Sequence, residues 1–195
     1  MKLKLNDIAE IKTGLVLNRK KANMSEILKF YYDIVSLKSF NENGIYEHIF
    51  ADKFVSSEQI KENYKVKQGD ILLRLREPNF AVYIDKEYKN LIYSSLVVRL
   101  KLYDNRFDAN FLTYYLNSNI VKKALHCEVS GTTISMIKIS DINDIKIPII
   151  NLDKQKNIAK YLKLAYQENE LLRNLIAQKQ KYLKEIFETL VLQGE

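Results

Sequence analysis

Asp70 and the triplet Glu87-Tyr88-Lys89 form the first spacing in this chain that suggests chemistry. An acid on one strand, followed by an acid and a lysine on the next, is an arrangement a metal-dependent nuclease uses. The two carboxylates hold a divalent ion and the lysine positions the attacking water. The same residues read equally as a Gly69-Asp70 turn before a buried strand and a polar hairpin tip from Asp85 to Asn90. With 28% of the residues charged, such spacings arise by chance. The rest of the catalytic inventory is thin. His126 and Cys127 are adjacent and His48 stands alone, so no zinc-ligand spacing exists. The five glycines make neither a phosphate-cradling loop nor a dinucleotide fingerprint. No catalytic residue, metal or cofactor is expected in the chain itself.

Arginines offer a different chemistry. Arg74 and Arg76 share one face of a strand by the two-residue period, with Leu73 and Leu75 on the other. Their planar forks suit guanine edges or phosphates. Asn79 follows at the next turn. Arg19, Lys20 and Lys21 are consecutive in an irregular stretch, and Ser130-Gly131-Thr132-Thr133 brings hydroxyls and backbone N–H groups close around a glycine. Each of these also reads as ordinary solvated surface when taken alone. The chain carries 31 Lys and Arg against 24 Asp and Glu, a net charge of +7. The excess gathers in residues 1–21 and 61–101; if folded onto one face, these stretches attract a polyanion.

The elements that must position these residues follow from local signals. Asn6 is a candidate cap for a short helical turn ahead of an extended piece ending at Gly14. Phe30–Leu37 reads as a strand, Asn43-Gly44 as a turn, and Ser57–Ile60 as one or two helical turns. Ile71–Arg76, Phe80–Ile84 and Leu91–Leu102 are strand candidates. Asp108 caps a helix through Leu116, and Ser118 a second through Leu125. Ile134–Ile139 is a possible short strand, Ser140 a cap for a brief turn over residues 141–144, and Ile145–Ile150 is extended.

From Asp153 to Leu192 there is neither Gly nor Pro. As a helix this stretch is roughly 60 Å long. Stepping by three and four gives Leu162, Ala165, Asn169, Leu172, Ile176, Lys179, Leu183, Ile186 and Leu190, seven of the nine apolar. That is a coiled-coil seam interrupted by one Asn and one Lys. A 150-residue domain cannot cover such a stripe along its whole length, so the helix wants a partner. The expected fold class is α/β in the α+β sense, with a β-rich domain over residues 1–150 and a long coiled-coil helix over residues 151–195. One cysteine among 195 residues, and no apolar run near the roughly 18 needed to span a bilayer, make a cytoplasmic protein the expectation.

The order of these segments resembles a known family. Leu5-Asn-Asp-Ile-Ala-Glu-Ile-Lys-Thr-Gly14 looks like the opening of a repeat of a type I restriction-modification specificity subunit. Val66-Lys-Gln-Gly-Asp-Ile-Leu-Leu73 resembles that family's strand entry. Phe111-Leu-Thr-Tyr-Tyr-Leu116, Gly131-Thr-Thr133, Ile145-Lys-Ile-Pro148 and Gln155-Lys-Asn-Ile-Ala-Lys-Tyr-Leu162 follow in the family's order. The connection Pro148-Ile-Ile-Asn-Leu-Asp-Lys-Gln155 departs from it, losing prolines and replacing the usual acid with Lys154. The length suits one recognition domain and one long helix, half of a full subunit.

The resemblance implies a non-catalytic protein that reads double-stranded DNA through a target-recognition domain. It pairs its helix with that of a second copy or another half subunit, and addresses a methyltransferase modification subunit and a restriction subunit. S-adenosylmethionine, Mg and ATP belong to those partners. The candidate DNA contacts are Arg19, Lys20, Lys21, Arg74, Arg76, Asn79, Thr132 and Thr133, and the dimerisation residues are the nine seam positions. Two rivals stay open: the nuclease of Asp70, Glu87 and Lys89, and a coiled-coil adaptor that binds only protein.

Overall fold

The computed structural model describes residues 2–22, 28–126 and 136–192. In chain order its elements are β1 (Lys2–Lys4), β2 (Ala9–Thr13), β3 (Phe30–Ile34), β4 (Asp52–Ser56), β5 (Ile71–Arg74), β6 (Ala81–Tyr83), β7 (Leu91–Ile92), β8 (Val97–Leu102), α1 (Ala109–Leu116), α2 (Asn119–His126), α3 (Ile139–Asn143), β9 (Lys146–Pro148) and α4 (Leu152–Leu192). The fold is mixed α and β with a long C-terminal helix, as the sequence suggests. It divides into two compact units, Met1–Lys156 and Asn157–Glu195.

The first unit is built on a four-stranded sheet of order β2-β8-β5-β6, antiparallel throughout. A three-stranded sheet, β4-β3-β7, has β3 antiparallel to β4 and parallel to β7; β1 and β9 form a separate antiparallel pair. Strand β5 is apolar on both faces because both faces are covered. Ile71 and Leu73 join the core made with Leu112 and Leu116 of α1, Val121 of α2 and Ile142 of α3. Leu72 points the other way, into a second core with Val35, Tyr46, Val82, Leu91 and Tyr93.

Several elements differ from the sequence reading. Leu5–Asp7 is a 3-10 turn whose first residue follows Lys4; the Lys4 amide donates to the Asp7 carboxylate at 3.0 Å, so Asp7 takes the capping role expected of Asn6. Ser57–Ile60 is not helical, and the turn falls instead at Glu62–Tyr64. The stretch from Leu91 to Leu102 is two strands in different sheets. It breaks where the end of β2 crosses it: Leu15 donates to the Tyr93 carbonyl at 3.0 Å and Ser95 to the Leu15 carbonyl at 2.8 Å. Gly14 permits that crossing, since a Cβ there would lie 2.3 Å from the Tyr93 carbonyl oxygen. Residues 134 and 135 lie outside the described set; of the short strand expected beyond them, Met136 makes an isolated bridge to Arg76, and α3 begins at Ile139. Lys138, rather than Ser140, occupies the position ahead of α3, its amide donating to Asp141 at 3.3 Å. Asp108 does cap α1, accepting from the Phe111 amide at 2.8 Å.

Gln155, in the first turn of α4, is fully buried. Its carbonyl oxygen accepts from the Asp108 amide at 3.0 Å, and its amide donates to the carbonyls of Arg106 at 2.9 Å and Ile150 at 2.7 Å. One side chain thus satisfies three main-chain groups of the loops around it. The second unit is the rest of α4, a helix of 41 residues in all. Its charged side chains pair along the helix, Lys181 with Glu185 at 3.6 Å and Lys184 with Glu188 at 3.7 Å. From Leu171 onward large apolar side chains are exposed along it: Leu171, Leu172, Leu175, Ile176, Leu183, Phe187 and Leu190.

Candidate nucleic-acid interface

Because β8 lies between β2 and β5 and runs against both, those two strands are parallel and finish at the same end of the sheet. Thr13 is opposite Val98, and Arg74 is opposite Val97. The segments carrying Arg19–Lys21 and Arg74 with Arg76 leave from that end. Their later paths differ. Residues 20–22 run beside β4, with Ala22 donating to the Val55 carbonyl and Ser57 to the Lys20 carbonyl, both at 3.0 Å. Lys20 pairs with Glu58, while Arg19 and Lys21 are exposed. Arg74 and Arg76 belong instead to a tight loop over residues 74–80.

Within that loop the three candidate residues play separate parts. Arg74 is half-buried and its guanidinium is spent on main chain, Nη1 donating to Leu37 at 3.3 Å and Nη2 to Glu77 at 2.7 Å. Its Nε is buried without a hydrogen-bond partner. Burial, and then the neighbouring charge of Arg76, hold its pKa below the ordinary guanidinium value. The described bonds of Arg74 reach carbonyls only, so they leave its positive charge unneutralised. Asn79 is 7% exposed, and its amide donates to the carbonyls of Arg74 at 3.3 Å and Leu75 at 2.9 Å. It closes the loop from within, its amide nitrogen already engaged by those two carbonyls. Arg76 is exposed at the loop's outer side and bridges to Met136. Leu73 and Leu75 lie together in the helix-covered core, so the alternation that puts the two arginines on the opposite face holds.

Thr132 and Thr133 lie outside the described residues, as does Cys127. The next described residue after them, Met136, pairs with Arg76, and Ile137 donates to the Leu75 carbonyl at 3.0 Å. Sequence reasoning missed Lys38, exposed beside the Leu37 carbonyl that Arg74 grips. No local signal marks it, because the contact joins residues 37 positions apart.

Asp70, Glu87 and Lys89 do not assemble a metal centre. The Asp70 carboxylate is buried and accepts from the Lys67 amide at 2.8 Å; Glu87 accepts from the Gln68 amide at 3.1 Å. Both carboxylates brace the turn at Gly69, whose φ is +91°. Burial raises the pKa of Asp70, with that hydrogen bond and Arg99 acting against it. Among the described residues no three His, Cys, Asp or Glu side chains are grouped to hold a metal ion. Among them, too, no helix is long and apolar enough to cross a membrane.

Comparisons with known proteins bear on both units. The family model described as the type I restriction modification DNA specificity domain matches residues 1–179. The specificity subunit of the type I restriction enzyme MjaVIII, from Methanocaldococcus jannaschii, is 30% identical over 132 residues, 65% of this chain and 31% of that protein. Two solved structures share the fold. The HsdS subunit from Thermoanaerobacter tengcongensis superposes with a TM-score of 0.68 at 14% identity, covering 93% of this chain and 45% of that one. The type I restriction-modification S subunit from M. genitalium gives 0.56 at 20% identity, covering 93% and 42%. The chain therefore spans less than half the length of each of these proteins.

Proposed function

The chain belongs to the type I restriction-modification DNA specificity family, and from that premise we propose that it reads a short double-stranded DNA sequence and carries a methyltransferase complex to it. The single observation carrying this reading is the family match, which runs without interruption through the recognition unit and most of the long helix. The domain of residues 1–150 does the reading and the C-terminal segment of residues 151–195, which carries α4, does the pairing. Arg76, exposed on a loop that Arg74 and Asn79 brace, reads a base edge in the major groove. Arg19, Lys21 and Lys38 engage phosphates, and Thr132 and Thr133 lie close to the DNA.

The seam from Leu162 through Ala165, Asn169, Leu172, Ile176, Lys179, Leu183 and Ile186 to Leu190 packs against the same seam of a second copy or of another half subunit. Two recognition domains then read a bipartite site. Asn169 and Lys179 favour one register over sliding alternatives at some cost in stability. Catalysis belongs to the partners: S-adenosylmethionine-dependent methylation, and any ATP-driven restriction, reside on other subunits.

Selection of bound duplexes from a random library at low salt, with the full chain alone and with a modification subunit, tests this reading. An enriched motif in two parts with a fixed gap is the expected result. Inverted halves indicate a pair of identical copies, and unlike halves a second, different partner. No enrichment at low salt, where backbone binding is strongest, overturns it in favour of a coiled-coil adaptor.

A further inference from the structure

Two positions of the α4 seam, Asn169 and Lys179, are polar among apolar neighbours, and both are exposed in the single chain. Lys181 and Lys184 each have a carboxylate four residues ahead on the same helix. Lys179 has none: the residues three and four positions away are Leu175, Ile176, Tyr182 and Leu183. Its own helix offers no side chain to receive the ammonium. Once another surface covers the stripe, the acceptor must stand on that surface.

The ways of laying a second α4 on the first differ in what meets Lys179. In a parallel pair each seam residue meets itself. Lys179 then faces Lys179, a like-charge contact, and Ala165 faces Ala165, which leaves a gap. In an antiparallel pair with the two-fold axis level with Asn174, residues equally far from that level on either side face each other. Leu172 then meets Ile176, Leu183 meets Ala165, Ile186 meets Leu162, and Leu190 meets the half-buried Ile158. Every one of these layers is apolar, and the small Ala165 receives a large side chain.

The remaining layer of that register sets Asn169 against Lys179, so the Asn169 carbonyl oxygen is the acceptor that Lys179 lacks. Sliding one helix by a heptad either way sets Asn169 against Leu172 or Ile186, and Lys179 against Leu162 or Ile176, which strands both polar groups. Leu175, exposed beside the seam, meets its own copy next to the axis. Arg173 meets its own copy too, but on the solvated flank, where such a pair counts for little. The seam is thus complementary to itself in one orientation and one register.

We propose, resting on the helix pairing above, that α4 pairs antiparallel with a second copy of this chain, and that Asn169 of each copy receives Lys179 of the other as the lock on register.

Sedimentation of the full chain and its variants tests the lock. Asn169→Asp is expected to associate about 10-fold more tightly than the parent, because a carboxylate now meets each Lys179. Asn169→Lys is expected to associate about 10-fold or more weakly, and Asn169→Lys with Lys179→Asp to regain at least the parent's affinity. A parallel pair gives the opposite sign for Asn169→Asp and no rescue in the double variant, and that result overturns the lock while leaving helix pairing intact. Disulfide formation reads the orientation separately. In a Cys127→Ser background, chains carrying Ala165→Cys and chains carrying Leu183→Cys are expected to cross-link when mixed, and neither alone. Cross-linking of Leu183→Cys with itself overturns the proposal in favour of a parallel pair. A parent chain that stays monomeric at every concentration reached sinks pairing with a second copy and the lock together.

Discussion

The recognition unit and the long helix spend their side chains in opposite ways. In the unit of residues 1–156, polar groups serve the chain's own backbone: Gln155 closes three main-chain groups, Asn79 closes a loop, and Asn117 both donates to and accepts from Ala81 on the edge strand β6. Its strands and helices bury a continuous apolar core, with Leu72 and Leu73 buried on opposite faces of one strand. In the helix beyond, the ion pairs are local and the large apolar side chains from Leu171 onward face solvent. The lesson is that the first region has a core of its own and the second does not. Covering Leu172 or Leu183 takes a surface from outside the helix.

The sharpest way to break this contrast is in the seam. Leu172→Asp with Leu183→Asp should lower self-association, or association with another half, by about 1000-fold, since two buried leucines together carry about 4 kcal/mol or more. Sedimentation should show the loss while the unfolding of the recognition unit is unaltered. If the unit unfolds with it, the two regions are not independent. Gln155→Leu should do the converse: it removes the partner of three part-buried main-chain groups and lowers stability by about 2 kcal/mol in urea unfolding, with association through the helix retained. Arg76→Ala should leave stability unchanged and cost about 1–3 kcal/mol of discrimination at one base pair, seen as a relaxed position in the selected motif.

The smallest effect belongs to Asp70. Burial raises its folded-state pKa above the unfolded value, so its contribution to stability is fully present below the usual carboxylate range and is lost as pH rises through the raised value. Asp70→Asn should therefore be the more stable protein at pH 7 and indistinguishable from the parent near pH ~3. Thermal unfolding across that range checks it.

What was legible in the sequence was what local chemistry decides. Asp108 ahead of α1, Asn43-Gly44 at a turn, and the Gly- and Pro-free run of α4 each act within a few residues of themselves. The motif ending at Gly14 was legible as a pattern, but its reason was not: the close approach is to Tyr93 and Ser94, far along the chain. The main-chain bonds of Arg74 and Asn79 were not legible for the same reason. Whether a polar side chain is available depends on whether a distant carbonyl has already claimed it, and Leu37 claims Arg74 across 37 positions. The break between β7 and β8 was hidden because the sequence is β-forming throughout, and only the crossing of β2 interrupts it. Thr132 and Thr133 lie outside the described residues and stand as sequence expectations.

The most direct test of the central claim, that a self-sufficient reader depends on an incomplete helix to make a bipartite one, is to select duplexes with the full chain and with its Leu172→Asp/Leu183→Asp variant side by side. The account predicts a two-part motif with a fixed gap for the parent and a single, weakly held half-motif for the variant. The same gapped motif with the same spacing from both proteins would contradict it.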